Sequence, residues 1–130
     1  MVNLASRLEG LTKVYHEPII ISESVQRKIS AIYPCRLLNR VVVKGKSAPV
    51  KIYNVKKSLD AQQKLIWQQH EKAMELYIAR DFEGAVNGFQ EILDTKANDA
   101  LAKLYIRRCR EYLENPPPDS WQGEFVLRSK

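Results

Sequence analysis

At Ser58-Leu59-Asp60 the pattern of the chain changes, and that change limits what it can fold into. Before it, β-branched residues are frequent: Ile19-Ile20-Ile21, Val41-Val42-Val43, Val50 and Ile52. After it, helix formers such as Gln62, Gln63, Lys64 and Leu65 take over. The spacing predicts an αβ piece over residues 1–57, a helical unit over 58–115 and a Pro-rich linker with a docking tail over 116–130. The fold class expected is α+β. Charge divides at the same place. Residues 1–57 carry 11 Lys/Arg against 3 Asp/Glu, and residues 58–130 carry 10 against 12. At 45% hydrophobic and 28% charged the chain is of globular composition.

Within the first piece, Val2, Leu4, Ala5, Leu8 and Leu11 form an apolar stripe, which predicts a helix from about Val2 to Tyr15. Pro18 ends it. Ile19-Ile20-Ile21 reads as a strand buried on both faces. A helix from about Val25 to Ile32 comes next, with Val25, Ile29 and Ile32 expected on its inner side. Strands are predicted over 36–44 and 50–56. The short connector Gly45-Lys46-Ser47-Ala48-Pro49 makes them an antiparallel hairpin. In the second strand Val50, Ile52, Tyr53 and Val55 are set against Lys51, Asn54 and Lys56. A sheet this small leaves an open edge, so dimerisation or aggregation is expected.

In the second piece three helices fit, over about 61–79, 82–95 and 99–113. The first two carry Ala73, Leu76, Tyr77, Phe82, Ala85, Phe89, Ile92 and Leu93 toward a common core. This run resembles a tetratricopeptide repeat, in which small residues let two antiparallel helices approach and aromatics fill the groove. Gly88 either weakens its helix or permits close packing. Lys103, Arg107, Arg108 and Arg110 on the third helix read as a solvated face. Asn115-Pro116-Pro117-Pro118 stops that helix, and the tail beyond it is expected to dock through Trp121 and Phe125. One repeat cannot bury its own faces, so the unit should pack on a neighbour.

Chemistry is concentrated at the start of the chain. Asn3 and Arg7 lie four apart, on one face of the first predicted helix. They offer an amide and a fixed-fork cation, a pair suited to a ribose oxygen and a phosphate. On helix geometry alone such a pair is most often solvated surface. The order of the segments around and after the pair strengthens the signal: VNLASRLEGLTKVY, then PIIISESV, then RLLNRVVVKGKSAPVKIYNV. From about Met1 to Val55 this series resembles the C-terminal part of a class III adenylate/guanylate cyclase catalytic domain. The resemblance implies a truncated ferredoxin-like piece, ordered helix-strand-helix-β-hairpin. It implies that Asn3 and Arg7 stabilise the transition state as the ribose 3′-oxygen attacks the α-phosphate. It places Lys44 on the nucleotide's terminal phosphates. The helical unit and PPPDSWQG resemble tails appended to bacterial class III cyclases.

The departures also count. The family's metal-binding aspartates have no counterpart here, and no metal ligand is assigned in this chain. The acids of residues 1–57 are Glu9, Glu17 and Glu23. His16 stands where the family carries Gly, and Asn39 where it carries an acid. Mg or Mn would serve the full-length family enzyme, and none is expected on this fragment.

Three readings are open. The first is a fragment of a nucleotidyl cyclase, inactive alone, that takes a nucleoside triphosphate only with the rest of the domain. The second is a non-catalytic interaction module using the helices, as a homodimer or with a protein partner. The third is an inactive remnant. ATP and GTP are not distinguished. Cys35 and Cys109 form no disulfide framework, and with His16 and His70 they fit no metal pattern. They read as reduced thiols in a cytoplasmic protein. No apolar run is long enough to span a bilayer. No nucleic-acid motif accompanies the basic half, so nucleic acid is not an expected partner.

Overall fold

The structure, a computed structural model, describes residues 19–42, 50–121 and 123–126. The helix expected over 2–15 and the hairpin connector lie outside these residues. The chain divides into two compact units, one carrying a sheet and a short helix, the other spanning residues 59–123.

The first unit holds β1 (Ile20–Ser22), α1 (Glu23–Ile29), β2 (Cys35–Val42), β3 (Val50–Val55) and β4 (Glu124–Val126). The strand order is β1-β3-β2-β4. The hairpin β2–β3 is antiparallel, with Arg36 opposite Asn54, Asn39 opposite Ile52 and Val41 opposite Val50. The register shifts between Leu37 and Asn39, which leaves the adjacent residues Leu38 and Asn39 both buried. β4 joins the other side of β2 in parallel, pairing Arg40 with Glu124 and Val42 with Val126. The C-terminal segment therefore adds a strand that the hydrophobic pattern did not announce.

Three expectations for this unit are corrected. Ile20 and Ile21 are half-buried and Ile19 is exposed, because β1 is an edge strand that pairs, among the described residues, with β3 alone. α1 is shorter than expected and has no buried residue; Val25 and Ile32 are exposed. Asn54, assigned to the outer face, is buried. A strand's strict period of two puts it on the side of Ile52. There it faces Arg36, itself buried, and the Arg36 Nε–H donates to Asn54 Oδ1 at 3.0 Å. That bond offsets part of the cost of burying the pair, while Asn54 Nδ2 is buried without a hydrogen-bond partner among the described residues.

The second unit is built from α2 (Ala61–Ile78), α3 (Phe82–Thr95) and α4 (Ala100–Glu114). Each helix starts on an aspartate. The Asp60 carboxylate accepts from the Gln63 N–H at 2.8 Å, and the Gln63 side chain accepts from the Asp60 N–H at 3.0 Å, a full capping box. Asp81 caps α3 through the Gly84 N–H and Asp99 caps α4 through the Ala102 N–H. Between α2 and α3 the chain turns at Arg80, whose φ of 71° is left-handed. The Asp81 N–H donates to Leu76 O and the Arg80 N–H to Tyr77 O, the Schellman pattern that normally uses glycine.

α2 packs on α3 and α3 on α4. Ala73, Tyr77, Phe82, Ala85, Phe89 and Ile92 are buried as expected; Leu76 and Leu93 are half-buried. Gly88 serves close packing, since a Cβ there would stand 3.0 Å from Ala73 Cβ. The Phe89 ring stacks on Tyr105 with centroids 5.1 Å apart. His70, fully enclosed, meets both rings edge-on. Arg108 departs from the expected solvated face: it is buried, with its guanidinium 5.4 Å from the Tyr105 ring centroid.

The tail closes this unit. Trp121 is buried among Tyr77, Phe82 and Tyr112, at centroid distances of 5.4, 5.6 and 5.2 Å. Arg80 holds the preceding prolines, donating to Pro117 O at 2.7 Å and Pro118 O at 3.0 Å. Its guanidinium carbon also lies 5.8 Å from the Trp121 ring centroid. Gly123, at φ 92°, passes so close to Ile78 that a Cβ would meet Ile78 Cγ1 at 2.8 Å. The strand pairing of Phe125 with Val41 is backbone placement in the first unit.

Candidate functional site

Asn3, Arg7 and Lys44 all lie outside the described residues. The structure does describe the frame on either side of Lys44. β2 runs to Val42 and β3 begins at Val50, with Val41 and Val50 in register.

Local charge around that frame is mostly cationic. Glu23 is the one acid of residues 19–58, and its carboxylate sits 3.5 Å from Arg27 and 3.9 Å from Lys51. It is thus occupied by two cations and stands on a helix of seven residues. Among the described residues no three His, Cys, Asp or Glu side chains come together as a metal site. Divalent Mg or Mn needs several hard oxygens fixed near one another, and the described donor set does not fit such an ion.

The two thiols differ in setting. Burial raises the Cys35 thiol above its usual range, and its Sγ–H reaches Tyr33 O at 3.6 Å. Cys109 is fully buried in the helical core and its thiol is pushed up to about 12 by burial. Neither is an activated nucleophile, which would need a lowered pKa. Burial likewise pushes the Tyr77 phenol well up. The buried pair Arg36–Asn54 was missed by sequence reasoning. The available signal was the period-two position of Asn54 beside Ile52.

The class these observations define is an α+β chain with a small sheet unit and a three-helix unit. No helix among the described residues is long and apolar enough to cross a membrane. The chain is 36% identical, over 120 residues and 83% of its length, to an adenylate cyclase of Dictyostelium discoideum specific to terminal differentiation. It is 50% identical, over 58 residues and 42% of its length, to an adenylate cyclase of Anabaena cylindrica. It spans 5% of the first relative and 12% of the second. The chain therefore contains a cyclase-related region. No model of a known protein family matches it, and no solved structure does.

Proposed function

We infer that this chain is a C-terminal portion of a class III nucleotidyl cyclase catalytic region, followed by a tetratricopeptide-like helical unit. The identity to two proteins named adenylate cyclase carries this reading. The order VNLASR, then VKGKSAPVKIY supports it. In this reading Asn3 and Arg7 act on the transition state. Arg7 offers a planar, permanently charged fork to the oxygens of the reacting α-phosphate, and Asn3 a neutral amide to the ribose oxygen. Lys44 holds the terminal phosphates as a point charge. In this reading Mg or Mn would supply the charge neutralisation, held by carboxylates of a longer form of the domain. The substrate is a nucleoside triphosphate, ATP or GTP.

The 130 residues alone are therefore expected to make no cyclic nucleotide from ATP or GTP with Mg²⁺ or Mn²⁺. Cyclic product from the purified chain would sink the reading. In a longer form that carries the metal-binding carboxylates, Arg7→Ala should lower kcat by roughly 10²–10³ with KM little changed. An unchanged kcat would remove Arg7 from the site.

A second role fits the helical unit, as an interaction module. The exposed face of α4 favours it: Lys103, Arg107 and Arg110 stand in solvent beside the half-buried Leu93 of α3.

A further inference from the structure

The outer face of α4 forms an open cleft with α3. Lys103, Arg107, Arg110, Glu111 and Glu114 stand around it, with Leu93 and Ile106 at its base. All five charged side chains are exposed, and none takes part in an ion pair among the described residues. Leu113, on the same helix beside Arg110, is 46% exposed. The charges are ordered along the helix: cations from Lys103 to Arg110, then acids at Glu111 and Glu114.

That order decides what can cover the face. A uniformly acidic ligand would meet Glu111 and Glu114, and a uniformly basic one would meet the three cations. A helix bearing the two signs in reverse order suits both ends, and α4 turned end for end is such a helix. We propose that this face is a self-association surface, on which α4 pairs antiparallel with α4 of a second copy of this chain.

With a twofold axis midway between Arg108 and Cys109, Lys103 of each copy falls opposite Glu114 of the other, about 8 Å to either side of the axis. Arg107 falls level with Arg110 of the other copy, one residue from its Glu111. Leu113 and Leu93 supply the apolar contact. A parallel pairing would set like charges together, which is costly. The facing Arg107 and Arg110 keep the association modest, and Arg110 also lines the neighbouring cleft beside Glu83. The surface belongs wholly to the helical unit, so it stands apart from the cyclase reading.

The test uses the full chain and measures mass by light scattering and sedimentation across concentration and salt. The wild type should show a concentration-dependent dimer that weakens as salt rises. Lys103→Glu and Glu114→Lys should each weaken it by at least about tenfold, with helix content by circular dichroism unchanged, since both positions are exposed. An equimolar mixture of the two variants should dimerise again, because each then meets its opposite charge, and so should the double variant. A wild type that stays monomeric at high concentration overturns the proposal, even if the face then captures an acidic peptide. So does a dimer that neither single variant weakens, or a mixture that associates no better than its components. Activity is not the readout, so failure here leaves the cyclase reading untouched.

Discussion

At the scale of single residues, the helical unit depends on a few enclosed rings. Phe89 is fully buried, stacked on Tyr105 and edge-on to His70. Phe89→Ala removes a ring that its neighbours are shaped around, and the cavity cannot collapse without moving α3. It should cost roughly 3–5 kcal/mol in denaturant melts; a loss below about 1 kcal/mol would show that the ring is not central. Cys109 gives a pH prediction. In the unfolded chain its thiol ionises near the ordinary 9.0, while in the fold burial delays ionisation to about 12. The folded state therefore binds the extra proton in that window. Stability from the neutral thiol is complete below 9 and is lost as pH climbs toward 12. In a Cys35→Ser background, Cys109 should resist a thiol reagent at about pH 9 until denaturant unfolds the chain. Rapid labelling of the folded chain would contradict its burial.

At the scale of elements, the C-terminal strand has the largest consequence. β2 is paired on both sides, by β3 and by β4. Ending the chain after Gly123 would strip β4 away and leave the outer N–H and C=O groups of residues 40–42 unpaired, an edge that recruits other strands. Such a shortened chain should form large aggregates by light scattering at concentrations where the full chain does not. If it stays as dispersed as the full chain, β4 is dispensable for covering that edge. The Arg80 turn works in the opposite direction, by fixing a connection. Its left-handed φ completes the Schellman motif, while its guanidinium ties down Pro117 and Pro118. One residue thereby sets both the helix–helix angle and the path of the tail that brings Trp121 home.

At the scale of the whole molecule, the division into two compact units has a direct consequence. Residues 59–123 contain their own core, from Ile66 and Tyr77 to Tyr105 and Cys109, and their own closing residue in Trp121. A single repeat-like unit was expected to need a neighbour; here Trp121 fills part of that need from the same chain. Residues 59–123 expressed alone should therefore give a helical circular dichroism spectrum and a cooperative melt. Trp121→Ala in that fragment should lower the midpoint markedly, in line with the roughly 3–5 kcal/mol cost of deleting a buried Trp. A fragment that is unfolded with Trp121 present would mean that the unit's stability comes from elsewhere.

Periodicity along the chain was enough to locate the helices at 61–78, 82–95 and 100–114 and the β2–β3 hairpin. Each of these is written in local spacing and punctuated by a capping aspartate, a proline or a short turn. The inward faces of α2 and α3 were legible for the same reason. Asn3, Arg7 and Lys44 are read from a motif alone, and they lie outside the described residues. The pairing of β4 with β2, the burial of Asn54 against Arg36 and of Arg108 against Tyr105, and the exposure of Val25 and Ile32 were not legible. Nearly all of these depend on contacts, made or missing, with residues far away in sequence. A three-residue strand has too short a pattern to announce itself, and an arginine declares only its charge. Which ring or amide stands beside it is decided by packing, when the chain has already folded.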